Sequence, residues 1–185
     1  MRVTKTNSSQ PPDLRRAVIR SASDAEALRN EVLSAAERTV SWLRSFAGSP
    51  LELLNALRFQ TVGHDPLTGD ALNVIEQLNQ TFTILVSLRA VEWLIEAHPN
   101  ANGFRLALAT CSGRDIESIE PNLVAAEVFS ATHPGSNRKL AKDMARLAAD
   151  SARHRYVFFA APNHAKGRHV RLETVPGVEV HCIEC

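Results

Sequence analysis

The sequence predicts an α/β fold, and three observations support this prediction. A segment from about Ala71 to His98 is rich in apolar residues, contains no Gly or Pro and ends at Pro99, as expected of a long buried helix. Short runs that alternate or are β-branched follow it, which is typical of strands. A helical pattern over NRKLAKDMARLAADSA then separates these runs from two further apolar strands. The resulting order is helix, three strands, helix, two strands.

Length and composition describe an ordinary globular protein. The 185 residues suffice for one core with a small helical extension, and 44% hydrophobic with 22% charged residues is typical of such chains. The net charge of +1 means that any surface for nucleic acid must be local. The first residues lack the apolar stretch of a signal peptide, and no window has the roughly 18 apolar residues of a membrane span. Three cysteines, an odd number, argue against a disulfide framework, so we expect a cytoplasmic protein without a membrane partner.

The N-terminal part is predicted to be a flexible tail over residues 1–22 and a helical extension over residues 23–62. The tail is polar and contains a Pro-Pro pair. Ser23-Asp-Ala-Glu26 is a capping-box pattern that opens a helix, and Ser49-Pro50 starts a shorter one through LELLNALRF. The apolar stripe of these helices permits either a homodimer interface or packing onto the core as a cap.

Polar residues on the long helix recur at steps of three and four, which aligns them along one stripe. They are Asn73, Glu76, Gln80, Thr83 and Ser87. The stripe is either solvated or faces an internal cleft, since much of the remaining helix surface is apolar. Glu76 is its only acid.

Two acids are predicted to face each other on one β-hairpin. DIESI and LVAAEVF have strand character, and Glu120-Pro121-Asn122 between them is a typical turn. If these three residues form the loop, Ile119 faces Leu123 and Asp115 lies directly opposite Glu127. Opposed side chains have Cβ atoms about 4.5–5.5 Å apart, where like charges are destabilising. Because a buried carboxylate is also costly unless paired or metal-bound, we expect a cation at this pair.

The arrangement resembles the PD-(D/E)XK nuclease superfamily, which has the restriction-endonuclease-like fold. In that family a metal-binding Asp begins the second core strand and a Glu lies on the third, as Asp115 in GRDIESI and Glu127 in AAEVF do. Many members add a glutamate on the first core helix, which Glu76 in NVIEQLNQ matches. The resemblance covers residues 70–185. It implies a mixed central sheet, built from an antiparallel meander and a crossover helix and flanked by helices.

The resemblance also implies a function and roles for single residues. The protein would be a divalent-metal-dependent nuclease that hydrolyses phosphodiester bonds, with DNA the expected substrate. Asp115, Glu127, Glu76 and the backbone carbonyl of Val128 would hold Mg²⁺ or Mn²⁺. Gln80 would position Glu76.

One position departs from the family's motif. Two residues after the Glu, where a lysine is usual, the chain has Phe129, which shares the strand face of Glu127. Some members supply the lysine from a neighbouring element, and Lys139 and Lys142 on the following helix are candidates. Lys139 is preferred as the catalytic lysine, because it lies in the first turn, close to the end of the Glu127 strand. The alternative is that both lysines are solvated helix surface.

A basic loop, PNHAKGRHVR, lies between the last two strands. It carries Lys166, Arg168, His169 and Arg171. It is interpreted either as a surface loop or as a clamp for the phosphate backbone of a nucleic acid. Phe129 favours a rival to the nuclease, a catalytically inactive protein that keeps the fold as a nucleic-acid-binding or assembly module.

Overall fold

The computed structural model describes residues 16–108 and 113–184, which form a mixed seven-stranded sheet with helices on both faces and a separate two-stranded sheet. The strands are β1 (Arg16–Ile19), β2 (Gly63–His64), β3 (Ala71–Leu72), β4 (Phe104–Ala107), β5 (Ile116–Ser118), β6 (Val124–Ser130), β7 (His154–Ala160), β8 (Gly167–Arg168) and β9 (Val178–Cys182). The α-helices are α1 (Ala22–Ser45), α2 (Pro50–Phe59), α3 (Val74–Ala97) and α4 (Lys139–Ala148). No helix in the described part of the chain is long and apolar enough to cross a membrane.

The sheet has the strand order β1-β4-β5-β6-β7-β9-β8. β1, β4, β5 and β6 pair antiparallel, β7 and β9 continue parallel to β6, and β8 is an antiparallel edge. α4 lies between the parallel strands β6 and β7 in the chain, as a crossover connection requires. The α/β class, the mixed sheet and the order of α3, three strands and α4 are therefore confirmed. Three strands follow α4 instead of the predicted two, because the two-residue strand β8 pairs with β9 at the edge of the sheet.

Two apolar clusters cover the two faces of the sheet. α3 and α1 pack on one face, and α4 packs on the other through its predicted apolar stripe. Strand β6 is buried on both sides, which explains its continuous apolar sequence. It gives Val124, Ala126 and Val128 to the α3 face and Ala125 and Phe129 to the α4 face. Glu127 therefore interrupts the α4 side of the most enclosed part of the sheet.

The predicted tail is wrong for the residues that form β1. Arg16–Ile19 pair antiparallel with β4, and Ile19 is buried in the core. A short strand of this kind is stabilised by the neighbour it pairs with, which local sequence does not reveal. Residues 1–15 of the predicted tail lie outside the described residues.

The cap of helix α1 is Ser21, two residues before the predicted cap at Ser23. The hydroxyl of Ser21 accepts from the N–H of Asp24 at 3.2 Å, and the Asp24 carboxylate accepts from the N–H of Ser21 at 3.0 Å. Aspartate here fills the place of the Glu in a capping box. The predicted start of α2 at Ser49-Pro50 is confirmed, with Ser49 as its cap.

The N-terminal helices pack onto the core, one of the two arrangements that the sequence permits. The buried Gln77 of α3 links them: its Oε1 accepts from the Thr39 hydroxyl at 2.6 Å and from the N–H of His64 at 2.9 Å. Its amide nitrogen donates to the carbonyl of Ala35 at 3.2 Å. This contact joins α1, β2 and α3. α2 keeps three large apolar side chains exposed, Leu51, Leu54 and Phe59.

The predicted cap of α4 at Ser136 is wrong. A short 3-10 turn, Ser136–Arg138, precedes the helix, and Asn137 and Arg138 adopt the left-handed conformation with φ of 53° and 56°. These two residues turn the chain away from the helical path, so the Ser136 side chain makes no cap with a described residue. Lys139 nevertheless lies in the first turn of the helix, as predicted, and is its first residue. The predicted apolar residues of α4 are all buried, Leu140, Met144 and Leu147.

Candidate functional site

The hairpin that carries the two acids has the predicted register. Ile116 on β5 pairs with Ala126 on β6, so continuing the antiparallel ladder by one residue places Asp115 opposite Glu127. A turn closes the other end of the hairpin, where the N–H of Leu123 donates to the carbonyl of Glu120 at 3.4 Å. The alternation of the strands and the turn residues between them were sufficient to predict this pairing.

Asp115 extends the ladder with its side chain. Its carbonyl accepts from the N–H of Ala107 at 2.8 Å, and its Oδ2 accepts from the N–H of Val128, also at 2.8 Å. The backbone pairing of β5 with β6 ends at Ile116, so the carboxylate takes the place of the next backbone acceptor. Asp115 is therefore held between β4 and β6 at the point where β4 stops and the β5–β6 ladder ends.

Glu127 is completely buried, with 0% of the residue exposed. Its Oε2 accepts a hydrogen bond from Nη1 of Arg146 at 2.7 Å, while Oε1 has no hydrogen-bond partner among the described residues. Burial, reinforced by the negative charge of Asp115, raises the pKa of Glu127 to about 8 against the opposing effect of Arg146. A buried carboxylate oxygen without a partner is costly, which is the condition that a bound cation would relieve.

Arg146 is the residue of the site that the sequence reasoning missed. It lies on α4, and its side chain remains 54% exposed although it holds Glu127. The bond to Glu127 raises the pKa of the Arg146 guanidinium. Arg146 follows Lys142 by four residues and Lys139 by seven, a spacing that places the three cations along one helix face. That spacing was the available signal.

Lys139 pairs with Asp143 rather than with a hairpin acid. Its Nζ donates to Oδ1 of Asp143 at 2.8 Å, while Oδ2 of the completely buried Asp143 has no partner among the described residues. Burial raises the pKa of Asp143; Lys139 opposes this effect, and the charge of Asp115 adds to it. Lys142 is exposed on the same helix.

An open groove of about 580 Å³ is lined by five of the six residues predicted for the catalytic and metal site, all except the buried Glu127. One wall is α3, with Glu76, Asn79, Gln80 and Thr83; the other is α4, with Lys139, Lys142 and Arg146; Asp115, Val128 and Phe129 lie between them. The polar stripe of α3 thus faces a cleft over its first half, whereas Ser87 further along is buried. The expected contact of Gln80 with Glu76 is present, since the Gln80 amide donates to Oε1 of Glu76 at 3.2 Å.

Phe129, at the usual lysine position, belongs to the apolar packing of the α4 face. It is 4% exposed and stacks on Phe159 with ring centroids 5.9 Å apart. Phe129 thus places an apolar ring, packed against the α4 face, where the family has an ammonium. The cation that contacts Glu127 therefore comes from α4 and not from β6.

The basic loop does not line this groove. Arg168 pairs with Glu173 at 2.7 Å and with Glu179 at 3.2 Å, and Lys166 pairs with Glu184. The ring of His169 contacts the carbonyl of Ala165 at 2.7 Å. Arg171 is exposed. Much of the positive charge of the loop is therefore balanced by carboxylates close to it.

A divalent cation fits the acid pair by the chemistry of its donors. Within residues 16–108 and 113–184, no three His, Cys, Asp or Glu side chains group as a metal site. Mg²⁺, however, needs only one or two carboxylates beside waters and phosphates. The pair offers the Asp115 carboxylate and the unpartnered Oε1 of Glu127. The carbonyl of Val128 points to the same side as its N–H, which donates to Asp115, because N–H and C=O of one strand residue point toward the same neighbour. The hydrogen bond from Arg146 opposes cation binding at Glu127, because the guanidinium already occupies Oε2 and is itself positively charged.

The chain was compared with models of known protein families, with curated proteins and with solved structures, and none of the three comparisons finds a match.

Proposed function

We propose that this protein is a divalent-metal-dependent nuclease that hydrolyses phosphodiester bonds in DNA. The observation that carries the proposal is the pair Asp115 and Glu127 at the end of the β5–β6 ladder, beneath a groove with three cationic side chains along one wall. Carboxylates suit Mg²⁺ or Mn²⁺, and cations on the wall suit the phosphates of a nucleic acid. The two features are adjacent, as phosphate chemistry requires.

Asp115, Glu127 and the carbonyl of Val128 would hold the cation, with Glu76 from the opposite wall as an accessory ligand. When bound, a divalent cation lowers the pKa of a coordinated water and offsets charge on the phosphate. Gln80 restricts the orientation of Glu76 through its amide, which supports the accessory role.

Lys142 and Arg146 would bind the phosphates of the substrate. Both line the groove, and an arginine fork can donate two parallel hydrogen bonds to one phosphate. Lys139 lines the groove too, but its ammonium is engaged by Asp143. Arg146 therefore takes over from Lys139 as the proposed substitute for the missing motif lysine, because it is the cation in contact with Glu127.

Cleavage assays test the proposal directly. Plasmid and single-stranded DNA are incubated with Mg²⁺ or Mn²⁺ and with wild type, Glu127→Gln or Glu120→Gln. We expect wild type and Glu120→Gln to cut at similar rates, since Glu120 is exposed on the turn of the same hairpin. Glu127→Gln should be slower by about a hundredfold or more, because the amide is a poor metal ligand. Absence of metal-dependent cutting, or equal cutting by both variants, would contradict it.

A second candidate function is binding without catalysis. Two observations favour it: Arg146 occupies one oxygen of Glu127, and Phe129 fills the lysine position with packed apolar surface. In that case wild type binds labelled DNA in a salt-dependent manner, cuts none with either metal, and Glu127→Gln leaves binding unchanged.

A further inference from the structure

The hydrogen bond between Arg146 and Glu127 bears on how a metal would enter the site. Resting on the proposed function, we propose that Arg146 and a divalent cation are alternative partners of Glu127, and that a phosphate of the nucleic acid draws Arg146 away from the acid. Arg146 would thereby keep the site closed to metal until substrate occupies the groove.

Competition follows from the position of the two groups. Glu127 has no exposed surface, and one of its two oxygens already accepts from Nη1 of Arg146 at 2.7 Å. A divalent cation on the remaining oxygen would lie within a few ångströms of the guanidinium, at a carboxylate that has no surface exposed to solvent. Like charges at that separation repel strongly because solvent screening is weak there. Metal and arginine therefore exclude each other at this carboxylate.

Arg146 is also able to leave. Its side chain is 54% exposed, and the described residues show it bonded to Glu127 through one nitrogen only. A guanidinium has five N–H donors, so the others remain available to an anion in the groove. Lys139 is less available to an anion in the groove, because its partner Asp143 lies one turn away on the same helix.

A phosphate that accepts from Arg146 frees Oε2 of Glu127 for a cation. Metal and nucleic acid then favour each other's binding, and by linkage the effect is equal in both directions. In the absence of nucleic acid the acid pair should bind metal weakly, since the cation must first displace an internal counter-ion.

Calorimetric titration with Mn²⁺ in the absence of nucleic acid tests the competition. Arg146→Met removes the counter-ion, and Arg146→Gln removes its charge while keeping an N–H donor in case the Met variant does not fold. We expect either neutral variant to bind Mn²⁺ about tenfold more tightly than wild type, the factor expected for one charge-assisted hydrogen bond. Arg146→Lys should stay near wild type. Arg153→Met is the matched control, an exposed cation away from the groove.

Binding of a nucleic-acid phosphate by Arg146 is tested by fluorescence anisotropy of a labelled single-stranded oligothymidylate in EDTA. Arg146→Met should bind it severalfold more weakly than Arg153→Met, with a salt dependence reduced by about one phosphate contact. If wild type binds Mn²⁺ and the neutral variants bind it no tighter, this inference is overturned while the proposed function stands. Equal DNA binding by Arg146→Met and Arg153→Met also overturns it. If wild type and every variant fail to bind Mn²⁺, both proposals fall.

Discussion

Nη1 of Arg146 lies 2.7 Å from Oε2 of Glu127, so an arginine on α4 donates a hydrogen bond to an acid buried within strand β6. The glutamate is completely buried and the arginine is half exposed, which makes the pair asymmetric. The arginine loses little hydration in this contact, whereas the glutamate has exchanged all of its hydration for one hydrogen bond. Stability at this position therefore depends on Arg146 more than its exposure suggests.

Arg146→Met should destabilise the protein by about 1.5–3 kcal/mol at pH 9 with a chelator, because Glu127 is charged above its pKa of about 8 and this is the usual range for a hydrogen bond to a charged group. Uptake of a proton by Glu127 limits the loss. Adding Glu127→Met to this variant should recover most of it, because an apolar pair avoids the buried unpaired acid. Urea unfolding of the four proteins in the cycle measures the coupling. Losses that simply add in the double variant would show that the pair is not coupled.

The contact between Arg146 and Glu127 is the feature of the site that the sequence could not predict. The opposition of Asp115 and Glu127 was predictable because strand pairing has a period of two and the turn sets the register. The burial of Glu127 was predictable from its apolar neighbours. The partner of Glu127 was not, because it depends on how α4 crosses β6, and helix periodicity gives only the face that the cations share. Lys139 is nearer to β6 along the chain, yet Asp143, one turn further along α4, engages it.

The errors at the chain's element ends have the same origin. β1 forms because β4 offers it an unpaired edge, a property of the folded sheet and not of RAVI itself. Ser136 does not cap α4 because Asn137 and Arg138 adopt the left-handed conformation. Arginine rarely adopts this conformation, so the local sequence does not indicate it. In both cases tertiary packing overrides a weak local signal.

Asp115 allows its structural and proposed metal-binding roles to be separated. Asp115→Ala leaves the N–H of Val128 without its acceptor and should cost about 1–3 kcal/mol. Asp115→Asn keeps a carbonyl oxygen that can accept the same bond, so its cost should be below about 1 kcal/mol. Both variants should lose Mn²⁺ binding, because alanine has no ligand atom and a neutral amide is a poorer ligand than a carboxylate for a hard cation. Urea unfolding and calorimetry on the same samples distinguish the two effects. An Asn variant as unstable as the Ala variant would show that the charge itself holds the strand end.

Tyr156 allows the electrostatics of the core to be checked away from the groove. It is the single tyrosine of the chain, and its hydroxyl lies 2.8 Å from Nε2 of His98. Burial raises the pKa of Tyr156 to about 12, with the charge of Glu179 adding to the effect. Burial also lowers the pKa of His98, so the ring is neutral and can accept a hydrogen bond from the Tyr156 hydroxyl. Tyrosinate absorbance in the near ultraviolet should rise near pH 12 in the native protein and near pH 10 in denaturant.

The same shift fixes the sign of a stability change. The unfolded chain releases the Tyr156 proton near pH 10 and the native protein near pH 12, so between these values the native state binds more protons. The contribution of Tyr156 to the free energy of unfolding is therefore complete below pH 10. It falls as pH rises toward 12, by on the order of 2–3 kcal/mol for a shift of this size. Tyr156→Phe has no proton to lose, so its unfolding free energy should be flatter across this range. Parallel pH profiles of wild type and Tyr156→Phe would mean that the fall arises elsewhere, because Tyr156 would then ionise as readily in the native protein as in the unfolded chain.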